Sequence, residues 1–456
     1  MKIKPNIFFL GAGGIGMAAL ERYFLACGCR VAGYDRTPTE LTDKLRAEGA
    51  DIIFSDDPAL IPDDMRSPES TLVVYTPAVP ESNAIMQYFR AGGFEIVKRA
   101  AVLGLITRNS RSLCFAGTHG KTTTSSMAAH LLHTMPCGCN AFLGGVLRNY
   151  GTNFLLHPDS DLSVIEADEY DRSFHHLRPY VAVITATDPD HLDIYGTEEA
   201  YLESFAHFTE LIRPGGFLIL HTGLKLKPRP NPDVTVYTYS RDEGDFHAER
   251  IRRADGTIRF DLVTPDGRIS DIQLGVPVEI NIENAIAAMA AVWCAVGLNE
   301  LDTLVAMASF LGPKRRFEYH LQQPDHVVID DYAHHPDELR QAILSVKALY
   351  PSTPLTVAFQ PHLYSRTRDF AAEFAEALSL ADHVILLPIY PARELPIPGV
   401  TSDIIFDRIT TSKSKSTLET LPVDVARLNP PLLLTAGAGD IINTLNAIVI
   451  LLSHRL

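Results

Sequence analysis

An α/β protein of three domains, each a mainly parallel sheet with flanking helices, is what this sequence predicts. Three observations lead there. Short apolar runs alternate with helix-length segments along most of the chain. Two of those runs pass straight into a glycine turn that opens a helix, at residues 11–16 and 117–120. A length of 456 residues, at about 100–200 per domain, leaves room for two to four domains.

The first domain spans residues 1–107. Residues 7–10 read as a strand, Gly11-Ala12-Gly13-Gly14-Ile15-Gly16 as the turn, 17–27 as a helix and 30–34 as a second strand ending at Asp35. Strand, glycine turn, helix, strand is a βαβ unit. A further strand, 71–75, runs into Thr76-Pro77-Ala78-Val79-Pro80, beyond a strand's carboxyl end, where open α/β sheets bind ligands. Residues 108–312 repeat the theme. The strand 112–116 leads into Gly117-Thr118-His119-Gly120-Lys121-Thr122-Thr123-Thr124 and a helix to about 134. Strands follow at 162–166, 181–185, 216–221 and 234–239, then a hairpin over 261–274 and a strong helix over 281–296. Gly312-Pro313 marks a hinge. Residues 313–456 form a third unit: strand 326–330, helix 336–350, strand 355–359, helix 370–380, strand 383–387. The Ser/Thr/Lys-rich stretch 410–417 is expected to be a solvated loop. The outer domains are Rossmann-like and the central one is of the P-loop kind.

The formal charge of −15 argues against a nucleic acid or an anionic membrane surface as the main partner, because no excess of Lys and Arg exists to neutralise phosphates. No run of about 20 apolar residues suits a membrane span, and residues 1–10 lack a leader's apolar region. Cysteines stand at 27, 29, 114, 137, 139 and 294. The close pairs have one intervening residue, not the two of a zinc or redox motif, so free thiols in a reducing compartment, the cytoplasm, are expected.

The central glycine turn carries the strongest chemistry. Its backbone amides and the helix N-terminus form a nest for phosphates. Lys121 would reach the β/γ-phosphates and the Thr122 hydroxyl a magnesium ion. The spacing G-x-x-G-K-T is two residues shorter than the standard P-loop, so a chance turn with a surface lysine is the competing reading. Two acidic clusters follow buried strands: Glu166-Ala167-Asp168-Glu169-Tyr170-Asp171, and Asp188-Pro189-Asp190-His191-Leu192-Asp193. Magnesium takes oxygen ligands and keeps phosphates and waters in its shell. Taken singly, each cluster also reads as a solvated loop. The first glycine turn, with Asp35 about 20 residues on, passes as a dinucleotide fingerprint. A nicotinamide cofactor and a UDP-sugar both place a pyrophosphate at a helix N-terminus, so the motif does not choose between them. In the third domain, Lys314-Arg315-Arg316, Asp330-Asp331-Tyr332-Ala333-His334-His335 and Gln360-Pro361-His362-Leu363-Tyr364-Ser365-Arg366 offer cations suited to carboxylates and phosphates. A salt-bridged surface is the alternative there.

Together these segments closely resemble the Mur ligase family. The most specific strings are GTHGKTTT at 117–124, EADEYDRSF at 166–174, DHLDIYG at 190–196, KRRFE at 314–318, DDYAHHP at 330–336 and QPHLYSRTRD at 360–369. The resemblance implies a UDP-sugar-binding domain, a central ATP-binding domain and a C-terminal ligase domain. It implies an ATP- and Mg2+-dependent ligase of peptidoglycan precursor synthesis, joining L-alanine to the lactyl carboxylate of UDP-N-acetylmuramate through an acyl phosphate. His334-His335 and the 360–369 string favour the alanine-adding member over its siblings. By motif, Gly117, Thr118, His119, Gly120, Lys121, Thr122, Thr123 and Asn281 would bind ATP, joined by Arg316 and Asp331. Thr122, Glu166 and His191 would serve the metal. Gly11, Gly13, Gly14, Ile15, Gly16, Met17, Asp35, Thr76, Pro77, Ala78 and Val79 would hold the UDP-sugar. Lys121, Glu166, His191, His335 and Arg366 would be catalytic, with His362 beside them. Partners would be UDP-N-acetylmuramate, L-alanine and ATP, with no nucleic acid and no membrane, in a monomer or weak homodimer.

Two departures from the family pattern stand out. Ile280-Asn281, with Asn284 following, replaces the usual His-Asn. Several siblings use a carbamylated lysine, yet residues 122–224 contain no lysine, which leaves Glu203 as the candidate substitute. The rival readings are a sibling ligase attaching a preformed tripeptide, a P-loop regulatory ATPase and an NAD-dependent oxidoreductase.

Overall fold

A computed structural model describes residues 4–190, 192–254, 257–392 and 394–453. They form two compact units: Met1–Ile251 with Arg259–Gly275 and Ile282–Leu311, and Arg252–Ile258 with Val276–Asn281 and Gly312–Leu456.

The first unit opens with five parallel strands, β1 (Asn6–Leu10), β2 (Arg30–Tyr34), β3 (Asp51–Ile53), β4 (Thr71–Tyr75) and β5 (Glu95–Lys98), in the order β3-β2-β1-β4-β5. Ile7 to Leu10 are wholly buried, as an apolar strand central to a two-sided sheet must be. Helices α1 (Ile15–Ala26), α2 (Glu40–Ala47), α3 (Ala84–Ala91) and α4 (Arg99–Asn109) complete this part. Strand order reverses between β1 and β4, so the loops after them flank the switch point where such sheets bind ligands.

The same unit continues with β6 (Arg111–Ala116), α5 (Lys121–Thr134), β7 (Asn140–Leu147), β8 (Thr152–Leu155), β9 (Leu162–Glu166), β10 (Val181–Ile184), α6 (Leu192–Tyr195), α7 (Glu198–Glu210), β11 (Phe217–His221) and β12 (Thr235–Tyr239). The sheet order is β12-β11-β10-β6-β9-β7-β8, parallel except for β8. The P-loop strand β6 therefore lies between β9 and β10, whose ends carry the two acidic clusters. A three-stranded sheet of β13 (His247–Ala254), β14 (Thr257–Thr264) and β15 (Gly267–Gln273) precedes α8 (Ile280–Val296) and α9 (Glu300–Ser309). The β7–β8 hairpin, absent from the sequence expectation, joins the two sheets. The Tyr23 ring of α1 packs edge-on to Phe142 and Phe154 at 5.5 and 6.4 Å, and the buried Asn153 amide donates to the Ile15 carbonyl at 2.7 Å.

The second unit holds β16 (Glu318–Gln322), β17 (Val327–Asp331), α10 (Pro336–Leu349), β18 (Leu355–Phe359), α11 (Tyr364–Asp369), α12 (Ala371–Leu378), β19 (His383–Leu386), α13 (Asp403–Phe406), β20 (Ser412–Lys415), α14 (Leu421–Leu428), β21 (Leu432–Ala436) and α15 (Leu445–Ser453). Its sheet order is β16-β17-β21-β18-β19-β20, with β16 antiparallel. Two expectations are corrected here. The stretch 410–417 is not simply a solvated loop, because residues 412–415 pair with β19 as an edge strand. Lys413 and Lys415 lie over the Phe406 ring, and charged lysines are what protects an exposed edge. The helix expected over 370–380 begins earlier and is broken at Phe370, whose φ of −120° and ψ of 24° leave the helical region. Among the described residues no helix is long and apolar enough to cross a membrane.

Candidate active site

The loop after β6 is shaped by two glycines with positive φ, Gly117 (141°) and Gly120 (82°). A Cβ on Gly117 would overlap Thr185 Oγ1 and lie 2.8 Å from the Ala186 amide, so only glycine fits there. The loop is clamped from β10: Thr118 Oγ1 donates to the Asp188 carbonyl at 2.7 Å and meets Tyr201 OH at 2.9 Å, while Thr185 Oγ1 donates to the His119 carbonyl. α5 begins at Lys121, and its first turn has neither a side-chain cap nor an acid, leaving the positive end of the helix for an anion.

Lys121 and Thr122 each have a carboxylate partner on the β9 side. Lys121 Nζ lies 2.8 Å from Glu169 Oε2 and donates to the Gly117 carbonyl at 2.6 Å. Burial works against the ammonium, but Glu169, Glu166 and Asp168 outweigh it and hold the Lys121 pKa above its ordinary value. Thr122 Oγ1 donates to Glu166 Oε1 at 2.9 Å, and the Gly144 amide donates to Oε2 at 2.9 Å. Burial raises the pKa of both Glu166 and Glu169, with Lys121 pulling each back down. Glu169 belongs to a cluster picked out in the sequence, but its pairing with the P-loop lysine was missed. No local signal separates it from Asp168 or Asp171; its burial does. Thr123 is half-buried in the first turn. His191 lies outside the described residues.

Of the two asparagines of α8, Asn284 is the one on the loop: Thr124 Oγ1 donates to its Oδ1 at 3.1 Å, and a Cβ on Gly120 would come within 2.9 Å of the same atom. The expected ATP ligand Asn281 instead gives its buried amide to the Val276 carbonyl at 3.1 Å, inside the second unit. Glu203, on α7, faces solvent and pairs with Arg229 at 3.0 Å, so it is no substitute for a metal-site lysine.

The N-terminal loop gathers most residues expected to hold a UDP-sugar. Asp35 accepts the Gly13 amide at 2.6 Å and the Thr37 amide at 3.1 Å, fixing the turn from the end of β2. Gly11 (φ 89°) lies under Thr76 and Val79: a Cβ there would sit 2.5 Å from Thr76 Cγ2 and 3.3 Å from Val79 Cγ2. The loops after β1 and β4 thus pack as one surface, with Pro77 and Ala78 between those two residues. Gly14 caps α1 by backbone alone, Ile15 and Gly16 form its first turn, and Met17 is buried beneath.

In the second unit, residues after β17, β18 and β21 converge. Asp330, wholly buried, is 3.1 Å from Arg315 Nε and accepts Thr435 Oγ1 at 2.7 Å. This neighbour of Asp331 is therefore structural. Asp331 accepts the Phe317 and Ala333 amides, both at 2.8 Å; burial pushes its pKa up to about 6, against the pull of Arg316. Arg316 lies over the Tyr332 ring at 5.4 Å and 4.0 Å from Glu338. The paired histidines divide. His334 packs on His362 at 5.9 Å and holds Glu338 at 3.2 Å, and His362 Nδ1 is 3.4 Å from Arg366. His335, the residue expected in this cluster, caps α10 through Asp337 and packs on Phe370 at 5.1 Å. Burial, with His334 and Arg366 beside it, pulls His362 down to about 4, so this ring is a neutral acceptor at neutral pH.

Three family models match the chain: Mur ligase family, catalytic domain, at residues 6–111; Mur ligase middle domain at 115–292; and Mur ligase, glutamate ligase domain, at 315–444. The UDP-N-acetylmuramate–L-alanine ligase of Parabacteroides distasonis is 60% identical over 95% of this chain and 94% of its own. That of Phocaeicola vulgatus is 56% identical over 99% and 98%. Among solved structures, the UDP-N-acetylmuramate-alanine ligase of Thermotoga maritima superposes with a TM-score of 0.81 at 27% identity, covering 98% of each chain. A murein peptide ligase from Psychrobacter arcticus shares the fold, with a TM-score of 0.66 at 21% identity over 99% of each chain.

Proposed function

Because the chain belongs to the Mur ligase family, we propose that it is an ATP-dependent ligase that joins L-alanine to the lactyl carboxylate of UDP-N-acetylmuramate. The observation that carries this reading is the head of α5, where Lys121 and Thr122 are matched by the buried carboxylate of Glu169 and the half-buried one of Glu166. That arrangement suits a nucleotide triphosphate and a hard cation, and it sits in a chain 60% identical to a ligase of this specificity. We assign residues 1–107 to the UDP-sugar, 108–312 to ATP and 313–456 to the ligase step.

A carboxylate resists attack by an amine, so it must first become an acyl phosphate. That step brings two anions together, the lactyl carboxylate and the γ-phosphate. Lys121, kept charged by its acidic neighbours, offsets the repulsion and steadies the charge on the phosphoryl group in transfer. The amides after Gly117 and Gly120 orient the phosphates. The donor set fits Mg2+: Glu166 and the Thr122 hydroxyl are hard oxygen ligands 2.9 Å apart, and phosphates and water complete such a shell. Bound there, the ion would neutralise phosphate charge. Arg316, Asp331, His362 and Arg366, with His335 beside them, form the candidate set for the amino acid and the reacting phosphate. His362, neutral at pH 7, can accept a hydrogen bond from the alanine ammonium and so orient it. All six cysteines are free thiols, in keeping with a reducing compartment, and we place the reaction in the cytoplasm. We read the chain as a monomer or weak homodimer, which sedimentation measures.

Phosphate release from ATP with UDP-N-acetylmuramate and a panel of L-alanine, glycine, L-serine and a cell-wall tripeptide tests the assignment. Release that requires both the UDP-sugar and L-alanine, with the ligated product seen by mass, is expected. Release with the tripeptide alone would transfer the chain to the sibling activity. Release without either co-substrate would make it a plain ATPase.

A further inference from the structure

The basic pair Lys98-Arg99, where β5 meets α4, has no part in the roles assigned so far. Lys98 holds Asp171 at 2.9 Å and Arg99 lies 3.6 Å from Asp168. Both acids belong to the segment that begins with Glu166 and includes Glu169, the partners of Thr122 and Lys121. The segment is tightly wound, with Asp171 and Arg172 both in left-handed backbone (φ 50° and 55°). On its other flank, the Arg99 guanidinium lies against Gly16: a Cβ there would overlap Nη1 and come within 3.0 Å of Cζ. Gly16 is in the first turn of α1, which carries no acid and no side-chain cap. One guanidinium therefore touches both the loop assigned to the UDP-sugar and the acidic segment beside the nucleotide loop.

We propose that Arg99 is a binding and positioning residue for the diphosphate of the UDP-sugar, and that Asp168 competes with that diphosphate for it. This rests on the ligase reading above. The Arg99–Asp168 pair is loose, with side chains 25% and 41% exposed, and pairs so wetted bind weakly. A phosphate offers the planar guanidinium two parallel charge-assisted hydrogen bonds, and the positive end of α1 adds to the attraction. Exchange of Asp168 for phosphate is thus downhill. A side chain at Gly16 would push the guanidinium out of this place. Once released, Asp168 adds an uncompensated carboxylate to the segment holding Glu166 and Glu169. A UDP-sugar in place then strengthens the pull on a cation at the nucleotide loop, and the linkage is reciprocal.

Calorimetric titration of UDP-N-acetylmuramate into the full chain and into Arg99→Gln, Arg99→Lys and Asp168→Asn tests this, with thermal unfolding to check folding. Arg99→Gln should weaken binding at least tenfold. Arg99→Lys should weaken it by less, since charge survives and the fork is lost; it also keeps the test alive should Arg99→Gln prove unstable. Asp168→Asn breaks the same ion pair, yet should bind the UDP-sugar as tightly as the wild type or tighter, because the competitor has gone. A purely structural ion pair predicts equal weakening in Arg99→Gln and Asp168→Asn, and that result overturns the proposal, as does wild-type affinity in Arg99→Gln. If the wild-type chain itself fails to bind UDP-N-acetylmuramate, the ligase reading falls and the role of Arg99 with it.

Discussion

At residues 11–16 and at 117–120 the backbone does the same thing: a buried strand ends, glycine takes a positive φ, and a helix begins with no side-chain cap. The charges around the two turns differ. At the first, an acid, Asp35, holds the Gly13 amide, and the nearby cation is Arg99, brought in from α4. At the second, the cation is the first residue of the helix, Lys121, with Glu169 and Glu166 waiting beside it. The shared backbone explains an affinity for phosphates in general. On the assignment proposed above, the side chains would separate a diphosphate that is only held from a triphosphate whose terminal group is transferred. The helices that follow differ likewise: α1 buries Glu21, and α5 buries His130 between Tyr150 and Ser309.

The largest effect is expected from Lys121→Ala, which should cut ATP turnover by about 10³-fold or more while UDP-N-acetylmuramate affinity stays within about threefold of the wild type, as expected of separate sites. Phosphate release and calorimetry measure the two; equal losses would erase the distinction between the turns. Glu166→Gln should lower kcat by about 10²-fold and raise the magnesium concentration for half-maximal rate. An unchanged magnesium titration would return Glu166 to a purely structural role. Gly117→Ala should destabilise the fold by up to about 3 kcal/mol, because its backbone conformation suits glycine alone. Gly16→Ala has no such backbone conflict and should leave the melting temperature in place while weakening the UDP-sugar. Melting curves of the two variants, run side by side, show whether the turns fail in these different ways.

The smallest effects are pH slopes of opposite sign. Burial depresses His130 to about 4, so its contribution to stability is complete above the unfolded value of 6.5 and is lost as pH falls toward 4. Burial raises Glu21, so its contribution is complete below 4.5 and is lost as pH rises through the folded value. Urea unfolding at pH 4.5 and pH 8 should show His130→Asn flattening the acid side by about 1–2 kcal/mol, and Glu21→Gln flattening the alkaline side. The same slope in both variants would mean that neither buried group behaves as its surroundings dictate.

Much of this could be read from the chain, and the parts that could not share a cause. Strands 71–75 and 355–359 and the helix after Lys121 fall where local apolar pattern and glycine put them. The β7–β8 hairpin was not legible, since Gly144 and Gly145 interrupt its apolar run and its pairing is decided by β9 and α1. Residues 412–415 look like a loop by composition and form a strand because β19 offers them a partner. Within the site, the P-loop and Glu166 were marked by position after strands. Glu169 above its acidic neighbours, Asn284 over Asn281, and His334 as the neighbour of His362 depend on which side chain the tertiary fold turns inward. Periodicity names the element, and packing between elements chooses the residue.

Glu169 also gives Lys121 a tethered anion. Held at 2.8 Å by the fold, that carboxylate is present at a local concentration no dissolved salt can match. Orthophosphate or sulfate arriving alone must take the lysine from a buried carboxylate without bringing it a counter-charge, a poor exchange. A nucleotide that carries its own divalent cation offers the carboxylate a new counter-charge as it lets go of the lysine. On the assignment proposed above, the turn would pass over the simple anions of the cell and answer to metal-loaded nucleotides, a filter made by one buried side chain.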